Sequence, residues 1–281
     1  MADVNRIILG QPRRSNFIND LIKLLKVSSS HSKARVSSEY KKSFIGVLWE
    51  VLSVLFITTF LSIVWSRVLP EGTGAHYFLY LLFGFTVWTL MSRLVDQSLA
   101  IGIRLKGGMI SQTFSTNYMV WANVLYCLRL FTYLLPLVLI VSMVTVGFSL
   151  SIYLNVFASI VCILVTGWSI MNTLGTLAIF SDDFARFVRM CMRVSFLLTP
   201  VIWNIERLDE HLRHYIYLNP FYSYLDVFRS ALLGQDVSKV SVSVMVIQTS
   251  VLLLVGLIVY KASNEITRKS IYIENGCQFE T

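Results

Sequence analysis

The chain has 281 residues, a formal net charge of +8, 55% hydrophobic residues and only 14% charged ones. Ordinary globular chains carry about 25% charged residues, and the mean hydropathy here is +0.65. A soluble one- or two-domain protein is thereby excluded. The apolar residues fall in long blocks, so the expected class is an all-α integral membrane protein with several spans.

Residues 1–46 hold nine of the 24 Lys and Arg and only three acids. They contain no apolar core followed by a small-residue cleavage site, so the first span is expected to be an uncleaved anchor. Within this segment, residues 16–27 repeat apolar residues at 17/18, 21/22 and 24/25, with Lys23 and Lys26 between them. That pattern predicts an amphipathic helix in the cytoplasmic interface. The polar stretch Ser28–Glu39 reads as a linker.

Span 1 is expected over Val47–Leu69, broken by one acid, Glu50. Residues 70–74, Pro-Glu-Gly-Thr-Gly, read as a turn on the far side. Span 2 starts at His76, reaches Ser92 and continues through Arg93 and Asp96 toward Leu99. The polar segment Gly102–Thr116 should be cytoplasmic and partly helical. Span 3 covers Tyr118–Phe148 with Pro136 inside. The uncharged turn 147–151 precedes span 4, Ile152–Phe180. Ser181-Asp182-Asp183 suits a turn and helix N-cap before span 5, Phe184–Trp203. Residues 204–239 do not fit one full span. Phe221, Leu225, Phe228 and Leu232 recur at helical spacing, and Gly234 ends that helix. Span 6 is Val240–Tyr260, followed by a polar tail.

Six spans with both ends inside place 18 of the 24 Lys and Arg on the cytoplasmic side, and the inverted topology would place them outside. The positive-inside bias therefore selects N-in, C-in. The organisation is a cytoplasmic segment 1–46, a six-span domain 47–260 and a cytoplasmic tail 261–281. Basic residues gathered at alternate span ends explain the net charge without a nucleic-acid partner, and point to membrane lipids.

No phosphate-binding loop, nucleophile elbow or His-Glu-x-x-His motif occurs. His211 and His214 lack the further partners a metal site needs, so no metal is expected. The cysteines Cys127, Cys162, Cys191 and Cys277 show no disulfide or metal spacing. Charges inside the apolar blocks carry more information, because burying them is costly. Arg186, Arg189 and Arg193 share one helix face. Two readings stand for them: snorkelling that fixes topology, or a cationic track for an anionic headgroup such as a lipid phosphate. Glu50 should pair with a neighbouring basic residue, Arg93 and Asp96 can neutralise each other, and Arg129 has no evident partner. Aromatic residues such as Trp49, Phe196 and Trp203 suit an interface belt or sugar rings stacked in a passage.

Three segments carry a family resemblance. They are Tyr40-Lys41-Lys42-Ser43-x-x-Gly46-x-Leu48-Trp49, then Asp182-Asp183 with Phe196–Trp203, then Leu218–Tyr222 with Arg229–Gly234. Across residues 35–265 the chain resembles the permease subunits of ABC-2 type polysaccharide exporters, the O-antigen and capsule group. The resemblance implies a homodimer of six-span chains in the bacterial cytoplasmic (inner) membrane, with two cytosolic ATP-binding subunits. ATP and Mg would sit in those partners, with no cofactor in this chain. It implies export of a lipid-linked polysaccharide between spans 1 and 5, and two short re-entrant helices between spans 5 and 6. Candidate passage and headgroup residues are Lys41, Lys42, Trp49, Arg186, Arg189, Arg193, Phe196 and Trp203. The segment meeting the ATPase would include Arg104, Lys106, Met109 and Phe114. The outer gate would include Phe221, Tyr222, Tyr224 and Phe228. A permease for a drug or small lipid, and a membrane-embedded glycosyl or acyl transferase, remain the alternatives. For a transferase the acid pair Asp182-Asp183 is ambiguous, since it equally suits a helix N-terminus.

Overall fold

The computed structural model describes residues 17–68, 75–106 and 116–277. The elements are α1 (Phe17–Tyr40), α2 (Leu48–Val68), α3 (Ala75–Lys106), α4 (Thr116–Thr145), α5 (Leu150–Phe180), α6 (Asp182–Leu198), α7 (Tyr222–Leu232) and α8 (Lys239–Cys277). Short helical segments at Ile205–Arg207, Glu210–Arg213 and His214–Leu218 lie between α6 and α7. Among the described residues no strand occurs.

Helix α3 is the axis of the bundle. Leu81, Leu82, Phe83, Val87, Leu90 and Leu94 are all buried, so it is apolar around most of its girth, as a core helix must be. In its apolar window 72% of residues are buried, against 11% in that of α2. It packs on α2, α4, α5, α6 and α7. Its closest approach is to α5, where a Cβ on Gly102 would sit 2.5 Å from the Gly175 carbonyl oxygen and 2.5 Å from the Ala178 Cβ. Small residues here let two backbones touch, a main source of helix association in hydrocarbon.

Five helices are long and apolar enough to cross a membrane: Leu48–Arg67, His76–Arg104, Asn117–Thr145, Leu150–Phe180 and Lys239–Ala262. They match expected spans 1 to 4 and 6. The expected fifth span is shorter than the sequence indicates. Its helix, α6, has 17 residues and stops at Leu198. Proline at 200 cannot donate the next helical hydrogen bond, and it disfavours helical geometry at Thr199. The start of α6 follows the expected chemistry, with the Ser181 hydroxyl accepting from the Phe184 amide at 3.3 Å.

One other expectation changes. Residues 28–39, expected as a linker, continue α1 without a break. Ser28, Ser32 and Val36 are buried at i, i+4, i+8, so the small side chains form a packing face that composition disguises as polar loop. Span 6 falls where expected, at Lys239–Ala262, while its helix α8 itself runs on to Cys277. The 204–233 region holds the short helical segments Ile205–Arg207, Glu210–Arg213 and His214–Leu218, followed by the longer helix α7. The far-side turn 70–74 lies outside the described residues.

In α7, ten of its 11 residues are buried. It ends in a Schellman motif, with the Gln235 amide on the Ser230 carbonyl (2.9 Å), the Gly234 amide on that of Ala231 (3.1 Å) and Gly234 at φ 68.

The α3–α5 crossing yields a signed prediction. Gly102→Ala gains about 1 kcal/mol of helix propensity, yet the added Cβ meets backbone that cannot yield. Thermal unfolding of the purified protein should therefore show a lower midpoint; a higher one would mean that the two helices are not in this register.

Candidate functional site

Three polar constellations surround α3. The first is a cleft of about 470 Å³ between α3 and α6. Trp88, Ser92 and Asp96 recur every four residues on α3 and so share a face. Opposite them stand Arg189, Met192, Arg193 and Phe196 of α6. The Phe196 ring packs on Trp88 (centroids 5.3 Å) and Phe85 (5.5 Å), and Trp88 meets Phe221 edge-on at 5.4 Å. The cleft therefore has an aromatic end and a charged end, with one carboxylate facing two guanidinium groups.

The three arginines on the α6 face do not act together. Arg186 bonds Asp183 at 3.3 Å, and both are exposed, so that pair adds little stability. Arg189 and Arg193 line the cleft. Arg93 does not pair with Asp96 as the i, i+3 spacing allows. It turns to α2, where its Nη2 donates to Glu50 Oε2 at 2.6 Å. The pairing expected for Glu50 is thus present, and it frees Asp96 to face the cleft.

The second constellation joins α1 to the bundle. Arg35 donates to Asn123 (2.8 Å) and Gln97 (3.1 Å), pairs with Glu39 (3.2 Å) and lies 3.8 Å above the Tyr126 ring. The Tyr126 hydroxyl donates to Glu39 at 2.6 Å, and the Tyr40 hydroxyl donates to Glu50 at 2.5 Å. Burial, and then the bond to Glu50, push the Tyr40 phenol upward. Arg129 finds its partners on α1: the Ser29 carbonyl and hydroxyl (3.3 and 3.2 Å) and the Ser32 hydroxyl (3.3 Å). Sequence reading missed Arg35, Asn123, Gln97 and Tyr126. The signals available were the Arg35/Glu39 spacing and the unexplained polar residues in span 3.

A third anchor closes the far end of α6. Beyond Pro200 the chain is irregular, and its carbonyls are taken up by side chains. Arg229 donates to the Pro200 carbonyl at 2.6 Å and stacks 3.9 Å from the Tyr80 ring centre. Tyr80 donates to the carbonyls of Trp203 (2.7 Å) and Pro200 (3.2 Å), and Tyr77 to that of Ile202 (2.8 Å). Arg229 is thus a buried charge.

The remaining candidates are placed as follows. Lys41 and Lys42 are exposed in the turn between α1 and α2, a turn bent at Gly46 with φ 64. Trp49 is exposed on α2 with Phe56 and Phe60. The Trp203 indole donates to the Leu197 carbonyl at 3.0 Å. Phe221 is half-buried, whereas Tyr222, Tyr224 and Phe228 are buried in α7 as core. Arg104 is exposed near the end of α3 and Lys106 is its last residue. Met109 and Phe114 lie outside the described residues. His211 and His214 are exposed, and among the described residues no group of three or more His, Cys, Asp or Glu could hold a metal.

The Glu50–Arg93 pair is mostly buried, so removing one partner leaves the other uncompensated. Glu50→Gln and Arg93→Gln should each cost about 3 kcal/mol of stability. The double variant should cost less than the sum, as a double-mutant cycle of unfolding midpoints reads directly; strict additivity would refute the pairing.

Residues 32–233 match the family described as ABC-2 type transporter. The match runs from the second half of α1 to the end of α7 and takes in the cleft. A search of curated proteins returns no match. The family's members are membrane components of ABC transporters, which fits the multi-pass helical architecture and implies an ATP-binding partner and a lipid surrounding. With more than half of its length matched, the chain belongs to the ABC-2 type transporter family.

Proposed function

We propose that the chain is one half of a homodimeric, six-span, N-in/C-in permease of the bacterial cytoplasmic membrane. It exports a lipid-linked polysaccharide, driven by two separate cytosolic subunits that bind ATP and Mg. The observation that carries this reading is the cleft between α3 and α6, which joins aromatic rings to a carboxylate and two arginines. Sugar rings offer C–H faces to aromatic rings and hydroxyls to Ser92 and Asp96. Arg189 and Arg193 suit the anionic phosphate of a lipid carrier.

The faces beside the cleft support a dimer. On α2, Trp49, Phe56 and Phe60 are uncovered, and on α6, Phe187, Val194 and Leu197. Two such protomers facing each other would enclose a passage walled by α2 and α6. Lys41 and Lys42 would stand at its cytoplasmic mouth. They would hold the inside orientation there, or meet an incoming headgroup.

The course of α6 supports a sixth crossing despite its length. Ala185 packs with Leu99, Phe196 packs on Trp88, and Ile202 and Trp203 are bonded by Tyr77 and Tyr80. Residues 185–203 thus run antiparallel to α3 from Leu99 to Tyr77, roughly 33 Å at 1.5 Å per residue. The region before α8 fits a re-entrant excursion. Phe221 reaches Trp88, Tyr224 bonds Thr166 in the middle of α5 and Thr249 midway along the apolar span of α8, and Ser142 near the end of α4 donates to the Leu232 carbonyl. Irregular backbone at such depth persists only where protein satisfies it, as at Pro200, Ile202 and Trp203.

The chain should co-purify with an ATP-binding subunit from the same cells. In vesicles containing both, Arg189→Gln/Arg193→Gln should lower export of a lipid-linked glycan by about tenfold while leaving assembly intact. ATPase stimulation by drugs, with none by the lipid-linked glycan, would replace this reading with the drug-exporter one.

A further inference from the structure

A second opening lies on the other side of α6. Helices α5 and α6 form a hairpin at Ser181, closed at its tight end by Ala178 and Ala185 against Leu99. Farther along, α6 leans on α3 through Phe196. Between these two contacts a cavity of about 260 Å³ separates α6 from α5, bounded by α3 below and reaching α8. Its floor includes Met91 and Leu94, both buried. Its rim includes Ile170, Leu174, Cys191 and Leu252, which are only half-buried. The cavity therefore opens sideways between helices.

Its chemistry is almost wholly hydrocarbon. The two hydroxyls at its inner end, Thr166 and Tyr224, bond each other at 2.9 Å, and Tyr224 also bonds Thr249 at 3.0 Å. A buried water needs two to four polar partners; Thr166 and Tyr224 are already engaged with one another, which leaves the Ser195 hydroxyl as a single partner. Apolar cavities in proteins stay dry and take apolar guests. Here the rim is formed by α5, α6 and α8, and α5 and α8 are fit to cross the bilayer. The abundant apolar molecule at such a rim is the lipid itself.

We propose that this cavity is an acyl-chain site, occupied by one hydrocarbon chain of a bilayer phospholipid wedged between α5 and α6. The site does not depend on which cargo the transporter carries. The wedge would replace the missing α5–α6 contacts between Val188 and Ser195, so the position of α6, a wall of the polar cleft, would depend on a bound lipid.

The test uses the chain with its ATP-binding subunit in vesicles of phosphatidylethanolamine and phosphatidylglycerol. A fraction of the phosphatidylglycerol carries a photoactivatable diazirine in mid-chain, and adducts are mapped by mass spectrometry after irradiation. Ile258 of α8 is exposed and reports contact with bulk lipid. The expected result is an adduct at Ile170, Leu174 or Cys191 as well as at Ile258. Filling the cavity from the α6 side with Cys191→Phe should lower the cavity adduct about tenfold while the Ile258 adduct stays constant. Leu252→Phe fills it from the opposite wall, so a fault in one variant does not decide the matter. Cavity residues that stay unlabelled in the wild type would overturn the proposal, as would labelling unchanged in both filled variants. So would displacement by equimolar polyprenyl phosphate but not by excess unlabelled phospholipid, because the chain would then belong to another source.

Discussion

Hydrocarbon offers no partner to a polar group, and the rest of this structure follows from that constraint. Glu50, Arg129 and Arg229, charges set among the apolar helices, each find their partners on another element. Glu50 of α2 meets Arg93 of α3 and Tyr40 of α1; Arg129 of α4 meets the Ser29 and Ser32 groups of α1; Arg229 of α7 meets the Pro200 carbonyl and the Tyr80 ring. Because the penalty for an unpaired buried charge is several kcal/mol, these contacts fix relative positions that apolar packing alone would leave free to slide.

The consequence is a division of labour around α3. On the side of α4, α5 and α7 it is sealed by aliphatic and aromatic packing, with the α5 crossing held close by Gly102 and Gly175. On the side of α2 and α6 it is sparsely covered, and the residues left uncovered there are Ser92, Asp96 and the two arginines of the cleft. Polar residues on a helix that is otherwise core make sense where water or a polar cargo reaches them. The weakly held helix α6 borders both that cleft and the apolar cavity behind it. A modest displacement of one helix would change both volumes together.

Much of the helical layout was legible in the sequence, because runs of more than twenty apolar residues have no other stable use. The bounds of α2, α4 and α5 fall within a few residues of those read from hydropathy. Reading failed where polarity and position diverge. Serines at 28 and 32 look like linker but pack as a small-residue face. Arg93 has an acid three residues away yet bonds one 43 positions earlier, a choice no local spacing encodes. The buried state of Arg229 depends on Tyr80 and Pro200 being brought to it by the fold. The cleft was half legible: the arginine face of α6 was visible, but its complement, Ser92 and Asp96, required the antiparallel packing on α3.

The most direct measurement concerns whether the α3–α6 cleft is wet. In a chain with its native cysteines replaced, Ser92→Cys lines the cleft and Thr86→Cys sits in the fully buried core. In sealed vesicles with the ATP-binding subunit present, a charged methanethiosulfonate reagent should modify the cysteine at position 92 and not the one at 86, and the lipid-linked glycan should slow that reaction. If position 92 reacts only with a lipophilic maleimide, the cleft faces lipid, and it is not the wall of a polar passage.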